Sequence, residues 1–289
     1  MTTADFLDKD FSELSDRHLR FALVDLDIDL DEYNQETRPK FEDLARQRLK
    51  DMVANSTGKL KDQANLLNYV SLDKHYLLLL RHGERPMVIG REELEKDLTR
   101  NGFLEAVEYG KEIAKRGLTI HAAMSSKYSR CVNTVKAILE GASIPDNSIE
   151  TAAPITGLKT ITASGADALS MTEEVGLIGI VNSLLGSTNG HKESVVVKGF
   201  KPFREGVDVI TGCLKEFLDR NSSKGPGLSV VCSHDAVIWL LVGHFFSWPK
   251  SKLEDRPGFL EGILLWKEGN HYMVAWRGET GIISDEKWP

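Results

Sequence analysis

The chain has 289 residues, of which 41% are hydrophobic and 27% charged, with a formal net charge of −7; this length suits one large domain or two small ones. An acidic chain lacks the basic footprint that non-specific nucleic-acid binding requires, so nucleic acid is not an expected partner. Its three cysteines, Cys131, Cys213 and Cys232, fit neither a zinc site nor a disulfide framework and read as reduced thiols in a cytoplasmic protein.

The N-terminal stretch MTTADFLDKDFSELSD is acidic and has no apolar core segment, so no secretory signal is expected. Residues 1–75 hold 16 acidic and 11 basic residues and carry most of the net charge. Asp25 to Glu36 places acids as a calcium-binding EF-hand loop would, but Leu30 stands where that loop needs glycine. Val24, Leu26, Ile28 and Leu30 alternate with aspartates at period two, which suits an acidic edge strand or a solvated face better. Arg38 to Asn55 reads as an amphipathic helix, with Phe41, Leu44, Leu49, Met52 and Val53 near one face, Thr37 as its cap and Pro39 in its first turn. Residues 1–75 are therefore expected to form an acidic, mainly helical appendage, and a candidate surface for homo-oligomer formation.

From Tyr76 short apolar runs alternate with helical ones. The expected elements are a strand at 76–80, a helix at about 101–116, a strand at 120–124, a helix at about 128–140 and a strand near 148–152. A Gly/Ser/Thr-rich stretch then runs to about 200, with one apolar segment at 175–185, and reads as a mobile cover. A helix at about 203–219, a strand at 228–232 and a helix at 235–246 follow. Two late strands, 260–267 and 271–277, form a hairpin around Lys267-Glu-Gly-Asn270. This alternation predicts an α/β fold, a mostly parallel sheet with helices on both faces, over residues 76–289. Leu228 to Trp248 is apolar for about the ~20 residues a bilayer needs. Ser233, His234 and Asp235 inside it would be costly in lipid, so a strand, polar turn and helix are expected and no membrane association.

Three of these strands end in polar clusters. Leu77–Leu80 runs into Arg81-His82-Gly83-Glu84-Arg85, Ile120–Met124 into Ser125-Ser126-Lys127-Tyr128-Ser129-Arg130, and Leu228–Cys232 into Ser233-His234-Asp235. Carboxyl ends of parallel strands share one edge, where ligands bind. One pocket would then collect Arg81, His82, Arg85, Arg130, His234 and Asp235: three arginines and two histidines around one acid. The guest that matches guanidinium forks is a phosphate group, and helices starting near 127 and 235 would add their N-terminal amides. Gly83, beside that anion, calls for close backbone approach or positive φ. The arginines would repel a metal ion, and no metal or other cofactor is expected. Glu84 has no assigned partner.

These residues carry a family resemblance. Arg81-His82-Gly83-Glu84-Arg85-Pro86 resembles the RHG signature of the histidine phosphatase superfamily, the phosphoglycerate mutase-like and histidine acid phosphatase-like enzymes. Leu98-Thr99-Arg100-Asn101-Gly102 resembles the segment that opens the next helix in many members. Ser125–Thr134 resembles the segment that brings a further arginine, and Ser233-His234-Asp235 the late histidine motif. Order and spacing agree from about residue 76 to 278. The resemblance implies a phosphoglycerate mutase-like three-layer fold and a phosphohistidine mechanism. His82 would be the nucleophile, Arg81, Arg85, Arg130 and His234 would hold the phosphoryl oxygens, and Asp235 would protonate the leaving group. An acid donor must be protonated, so Asp235 would need an upward-shifted pKa or an acidic optimum. The His-Asp pair and Arg85 resemble the acid-phosphatase branch; in the mutase-like branch a separate glutamate donates, a role open here to Glu150, Glu173 or Glu174. Substrate specificity would lie in an insertion at about 153–204, where Lys159, Lys198, Lys201 and Arg204 could meet a second anionic group.

The expected activity is metal-independent hydrolysis of a small phosphorylated metabolite, with inorganic phosphate as product. The alternatives are a mutase-like phosphotransferase and a phosphatase-like regulatory or binding protein with little turnover. Ser125, Ser126 and Ser233 read as turn formers and caps rather than nucleophiles. Cys131 and Cys232 read as core thiols, and His244 as a core or interface histidine.

Overall fold

The computed structural model describes residues 19, 23, 28, 32–48, 66–86, 96–145, 149–186, 197–248 and 250–288. The acidic alternation at 24–31, apart from Ile28, and residues 49–55 of the expected helix at 38–55 lie outside them, whereas 38–48 is helical. Phe41 and Ala45 on that helix are buried, and Tyr33 packs edge-on against Phe41 at 5.2 Å.

Seven strands form one sheet in the order β3-β2-β4-β1-β5-β6-β7. They are β1 His75–Arg81, β2 Ile120–Ser125, β3 Ile149–Thr151, β4 Gly227–Ser233, β5 Gly262–Glu268, β6 His271–Trp276 and β7 Glu279–Ile283. β1, β2, β3 and β4 pair in parallel, while β5, β6 and β7 extend the sheet antiparallel from β1. The α/β class expected from the alternation is thus observed, with the hairpin continued by β7. That last strand escaped the sequence reading because Glu279-Thr-Gly-Ile-Ile is short and carries few apolar residues.

Among the described residues from 76 onward the α-helices are α1 Arg100–Lys115, α2 Ser129–Gly141, α3 Gly165–Gly186, α4 Phe203–Ser222 and α5 Asp235–Phe245. Alternation along β1 sorts them into two layers, because successive strand side chains point to opposite faces. Leu77 and Leu79 join a core with α3, α4 and α5. Tyr76, Leu78 and Leu80 join another with α1 and α2. Leu77 to Leu80 are all 0% exposed, and full burial of each leucine contributes ~1.5–3 kcal/mol.

The stretch 153–204 contains regular structure. Where described, it folds into two 3-10 turns, Ala153–Ile155 and Gly157–Ile161, and then α3. Ile155, Ile161, Leu177, Ile180, Val181, Leu184 and Leu185 enter the core. Its Gly/Ser/Thr content hid this because the apolar residues are spaced for burial by neighbours that only tertiary contact supplies. α3 is long and apolar enough to span a bilayer by length and composition. It is, however, kinked at Gly176, whose φ of 63° suits glycine alone, and its buried residues Leu177, Ile180, Val181, Leu184 and Leu185 join the core that α5 shares.

α1 and α2 cross at backbone contact. A Cβ at Gly110 would lie 2.0 Å from the Ile138 carbonyl oxygen, and one at Gly141 1.9 Å from that of Val107. Gly110→Ala should therefore force the helices apart and cost about 1–3 kcal/mol, read as a lower urea midpoint at unchanged slope. An unchanged midpoint would show that the contact yields without cost.

Candidate active site

The β1–β4 register sets Arg81 opposite Ser233, and the β2–β4 register sets Ser125 opposite Cys232. The chain leaves all three strands at the same edge. There the amide of His82 donates to Ser233 O at 3.0 Å and that of Ser126 to Cys232 O at 3.0 Å. His82, His234 and Arg130 are thereby gathered at one point, and each is buried to within 7% of full coverage.

His82 shows how the site is tuned. Its Nδ1 lies 2.8 Å from the carbonyl oxygen of Gly83. A carbonyl only accepts, so Nδ1 carries the proton and Nε2 keeps a lone pair. Burial first, then the charges of Arg81, His234, Arg130 and Arg85, hold the ring pKa well below its ordinary value of 6.5. The result is a neutral imidazole with a bare nitrogen inside a cationic pocket.

His234 stands beside it, ring centroids 5.5 Å apart at 68°. Arg130 Nη2 donates toward its Nδ1 at 3.4 Å, and its Nε2 meets Ser126 Oγ at 3.0 Å. Ser126 thus orients a pocket histidine. The Cys131 thiol, fully buried, lies 3.7 Å from the same Nε2. Tyr128 flanks the pair, 5.4 Å from the His234 ring and 4.8 Å from the Arg130 guanidinium.

Arg81 donates from Nη1 to Pro257 O at 2.7 Å and lies 4.2 Å over the ring of Phe259. Burial draws its pKa down to about 10, with Asp235 pulling the other way, so it remains charged at neutral pH. Its buried Nε has no hydrogen-bond acceptor among the described residues. Arg85 is half-buried and near enough to press on both Arg81 and His82.

Asp235 opens α5, where the helix N-terminus favours an anion. Its Oδ2 sits 3.3 Å from Arg81 Nη2 and 2.8 Å from Arg256 Nη2. Burial pushes its pKa up, but Arg81 and Arg256 outweigh burial and hold it well below the usual carboxylate range. Asp235 is thus an ion-paired carboxylate, and of the two expectations, an upward shift or an acidic optimum, its low pKa is consistent with the second. Arg256 lies outside every motif, and its nearness to Asp235 is a tertiary fact.

The alternative donors lie on β3 and α3. Glu150, on β3, pairs with Arg220 at 2.7 Å with its side chain 50% exposed. Glu173 and Glu174 lie on α3. Of the insertion cations, Lys198 pairs with Asp167 at 3.5 Å and Arg204 donates to Glu286 O at 2.8 Å, both at the surface. His244 is half-buried and edge-on to Phe203, and burial chiefly draws its pKa down to about 4.

Glu84 acquires a role. Its carboxylate accepts from Thr99 Oγ1 at 2.7 Å and Asn101 Nδ2 at 3.2 Å, and its carbonyl accepts from the Thr99 amide at 2.9 Å. Thr99 in turn caps α1 by accepting from the Gly102 amide at 2.9 Å. A Cβ on Gly102 would lie 2.3 Å from Glu84 O, and one on Gly83 2.7 Å from Gly102 O. Gly83 is therefore present for close approach. The Leu98–Gly102 segment latches the loop after β1, and Thr134 adds a bond to the Gly83 amide at 2.9 Å.

Residues 77–152 match the family model of the histidine phosphatase superfamily (branch 1), in accord with the motif resemblance. No curated protein matches the chain. Among solved structures, the chain is similar to Bacillus stearothermophilus YhfR at 15% identity, covering 72% of this chain and 98% of that one, with a TM-score of 0.48. Phosphoglycerate mutase from Bacillus anthracis str. Sterne gives 13% identity, 75% and 96% coverage and a TM-score of 0.42. A mutant phosphoserine phosphatase from Entamoeba histolytica, in complex with phosphoserine, gives 17%, 73%, 97% and 0.44.

Because the folded His82 ring refuses a proton that the unfolded chain accepts, stability should fall as pH drops below about 6.5. Nitrogen-15 NMR should show His82 with one protonated and one bare nitrogen and no midpoint near that pH. A midpoint at about 6.5 would contradict the burial and charge argument.

Proposed function

We propose that this protein is a metal-independent phosphomonoester hydrolase acting through a phosphohistidine on a small phosphorylated metabolite. The observation that carries the reading is the bare Nε2 of His82, held neutral while ringed by Arg81, Arg85, Arg130 and His234. A phosphomonoester dianion would find fork-shaped donors for its oxygens. It would also meet a nucleophile that its own charge has not yet protonated.

In the first step the Nε2 lone pair attacks phosphorus as the ester P–O bond breaks, and the leaving oxygen takes a proton from Asp235, which has bound one from solvent in the substrate complex. In the second, water attacks phosphorus, the P–N bond breaks, Asp235 recovers a proton from the water, and phosphate leaves. The arginines stabilise the equatorial oxygens throughout, which is most of what phosphoryl transfer asks of a protein. The same first step serves a mutase; the acceptor of the phosphoryl group distinguishes the two. We place the hydrolase in residues 76–289, with 1–75 as an acidic appendage, and its free thiols favour the cytoplasm.

Across a panel of phosphorylated metabolites the protein should release inorganic phosphate, and His82→Ala should lower kcat/KM by about three orders of magnitude or more. Rapid quench should trap a phosphoryl group on His82. Equal release by the two proteins would remove the mechanism, and return of the phosphoryl group to a substrate hydroxyl would make the protein a mutase. Asp235→Asn should slow esters with poor leaving groups far more than p-nitrophenyl phosphate; equal loss on both would end its role as acid.

A further inference from the structure

Arg256 belongs to none of the motifs, yet it makes the closest contacts to Asp235. Its Nε and Nη2 both reach Asp235 Oδ2, at 2.9 and 2.8 Å, and Arg81 Nη2 reaches the same oxygen at 3.3 Å. The Arg256 and Asp235 side chains are each 14% exposed. Two guanidinium groups on one carboxylate oxygen is more cation than one anion requires.

The segment that carries Arg256 is itself fixed from beneath. Arg277 donates to Glu254 O at 2.8 Å and to Arg256 O at 3.1 Å. It pairs with Glu261 at 2.5 Å, and Glu261 is only 2% exposed. The other Glu261 oxygen accepts the Gly258 amide. Arg81 closes the ring through Pro257 O. The carbonyls on either side of Arg256 are thus tied down, which restricts where its guanidinium can go.

We propose that Arg256 is a positioning residue for Asp235: it holds the carboxylate against Arg81, and it is the partner Asp235 keeps when a phosphoryl dianion recruits Arg81. The catalytic consequence rests on the hydrolase reading. With Arg81 turned to the phosphoryl oxygens, Asp235 loses one cationic neighbour and gains an anionic one, and both changes favour the protonated acid. Arg256 limits that change, so that the resting carboxylate and the reacting acid are two states of one residue. The groups that face Asp235 are Arg81 and His82 at the end of β1, Arg256 from the segment before β5, and the Ala236 amide of α5, which donates to Oδ1 at 2.9 Å. Arg85 and Glu261 act on it through Arg81.

The test is a carbon-13 NMR titration of the Asp235 carboxyl in the full chain, without ligand and with saturating inorganic phosphate. In the unsubstituted protein phosphate should raise the midpoint. Arg256→Gln should raise the ligand-free midpoint by about one unit or more, and Arg256→Lys should restore most of it. The alkaline limb of kcat on a poor-leaving-group ester should move up by a similar amount in Arg256→Gln. A ligand-free midpoint unmoved by Arg256→Gln, in protein whose near-UV circular dichroism is unchanged, would overturn the proposal. So would a midpoint in the unsubstituted protein that ignores phosphate, a measurement that stands even if Arg256→Gln does not fold. Failure of the hydrolase reading shows separately, as phosphate release that survives His82→Ala, and leaves the titration to decide the Arg256 pairing.

Discussion

Seven residue pairs lock β1 to β4 in parallel, from His75 against Gly227 to Arg81 against Ser233, and the position of every pocket group depends on that register. His82 and His234 each follow a strand by one residue, so in-register ends put their rings side by side. A slip of one residue would exchange the side chains that β1 sends into the two cores and carry His82 away from His234. The hydrophobic burial that fixes the register is therefore also what aligns the chemistry.

That alignment concentrates positive charge where water is scarce. Arg81, Arg130 and Arg256 are largely buried, Arg85 is close by, and Asp235 is the acid that pairs with Arg81 and Arg256. Unbalanced cations in a buried site are expensive. The fold offsets the cost locally with carbonyls, as at Pro257 O for Arg81, and with aromatic faces, as at Phe259 and Tyr128. The remaining excess is what makes an oxyanion welcome, and it keeps the His82 imidazole neutral.

The loop after β1 must hold still for a nucleophile to be aimed. Two attachments do this from opposite sides: Thr134 on α2 takes the Gly83 amide, and Thr99 ahead of α1 takes Glu84. Gly83 and Gly102 let the two backbones close to contact. On the far side of the pocket the Glu261–Arg277 pair does the same for the segment bearing Arg256 and Pro257.

The sequence by itself determined the α/β alternation, the strand-end clusters and hence His82, Arg81, Arg130, His234 and Asp235 as one group, because period-two burial and parallel topology are local patterns with a global consequence. It also determined that Gly83 serves close approach or positive φ, but not which. Only the tertiary structure decided the partners: Glu84 with Thr99, Ser126 with His234, and Arg256 with Asp235. Each of these joins residues from different elements, and the last makes Asp235 an ion-paired carboxylate. The ionisation of a buried carboxylate is set by charges within a few ångströms, and no spacing along the chain reveals that residue 256 folds back onto residue 235.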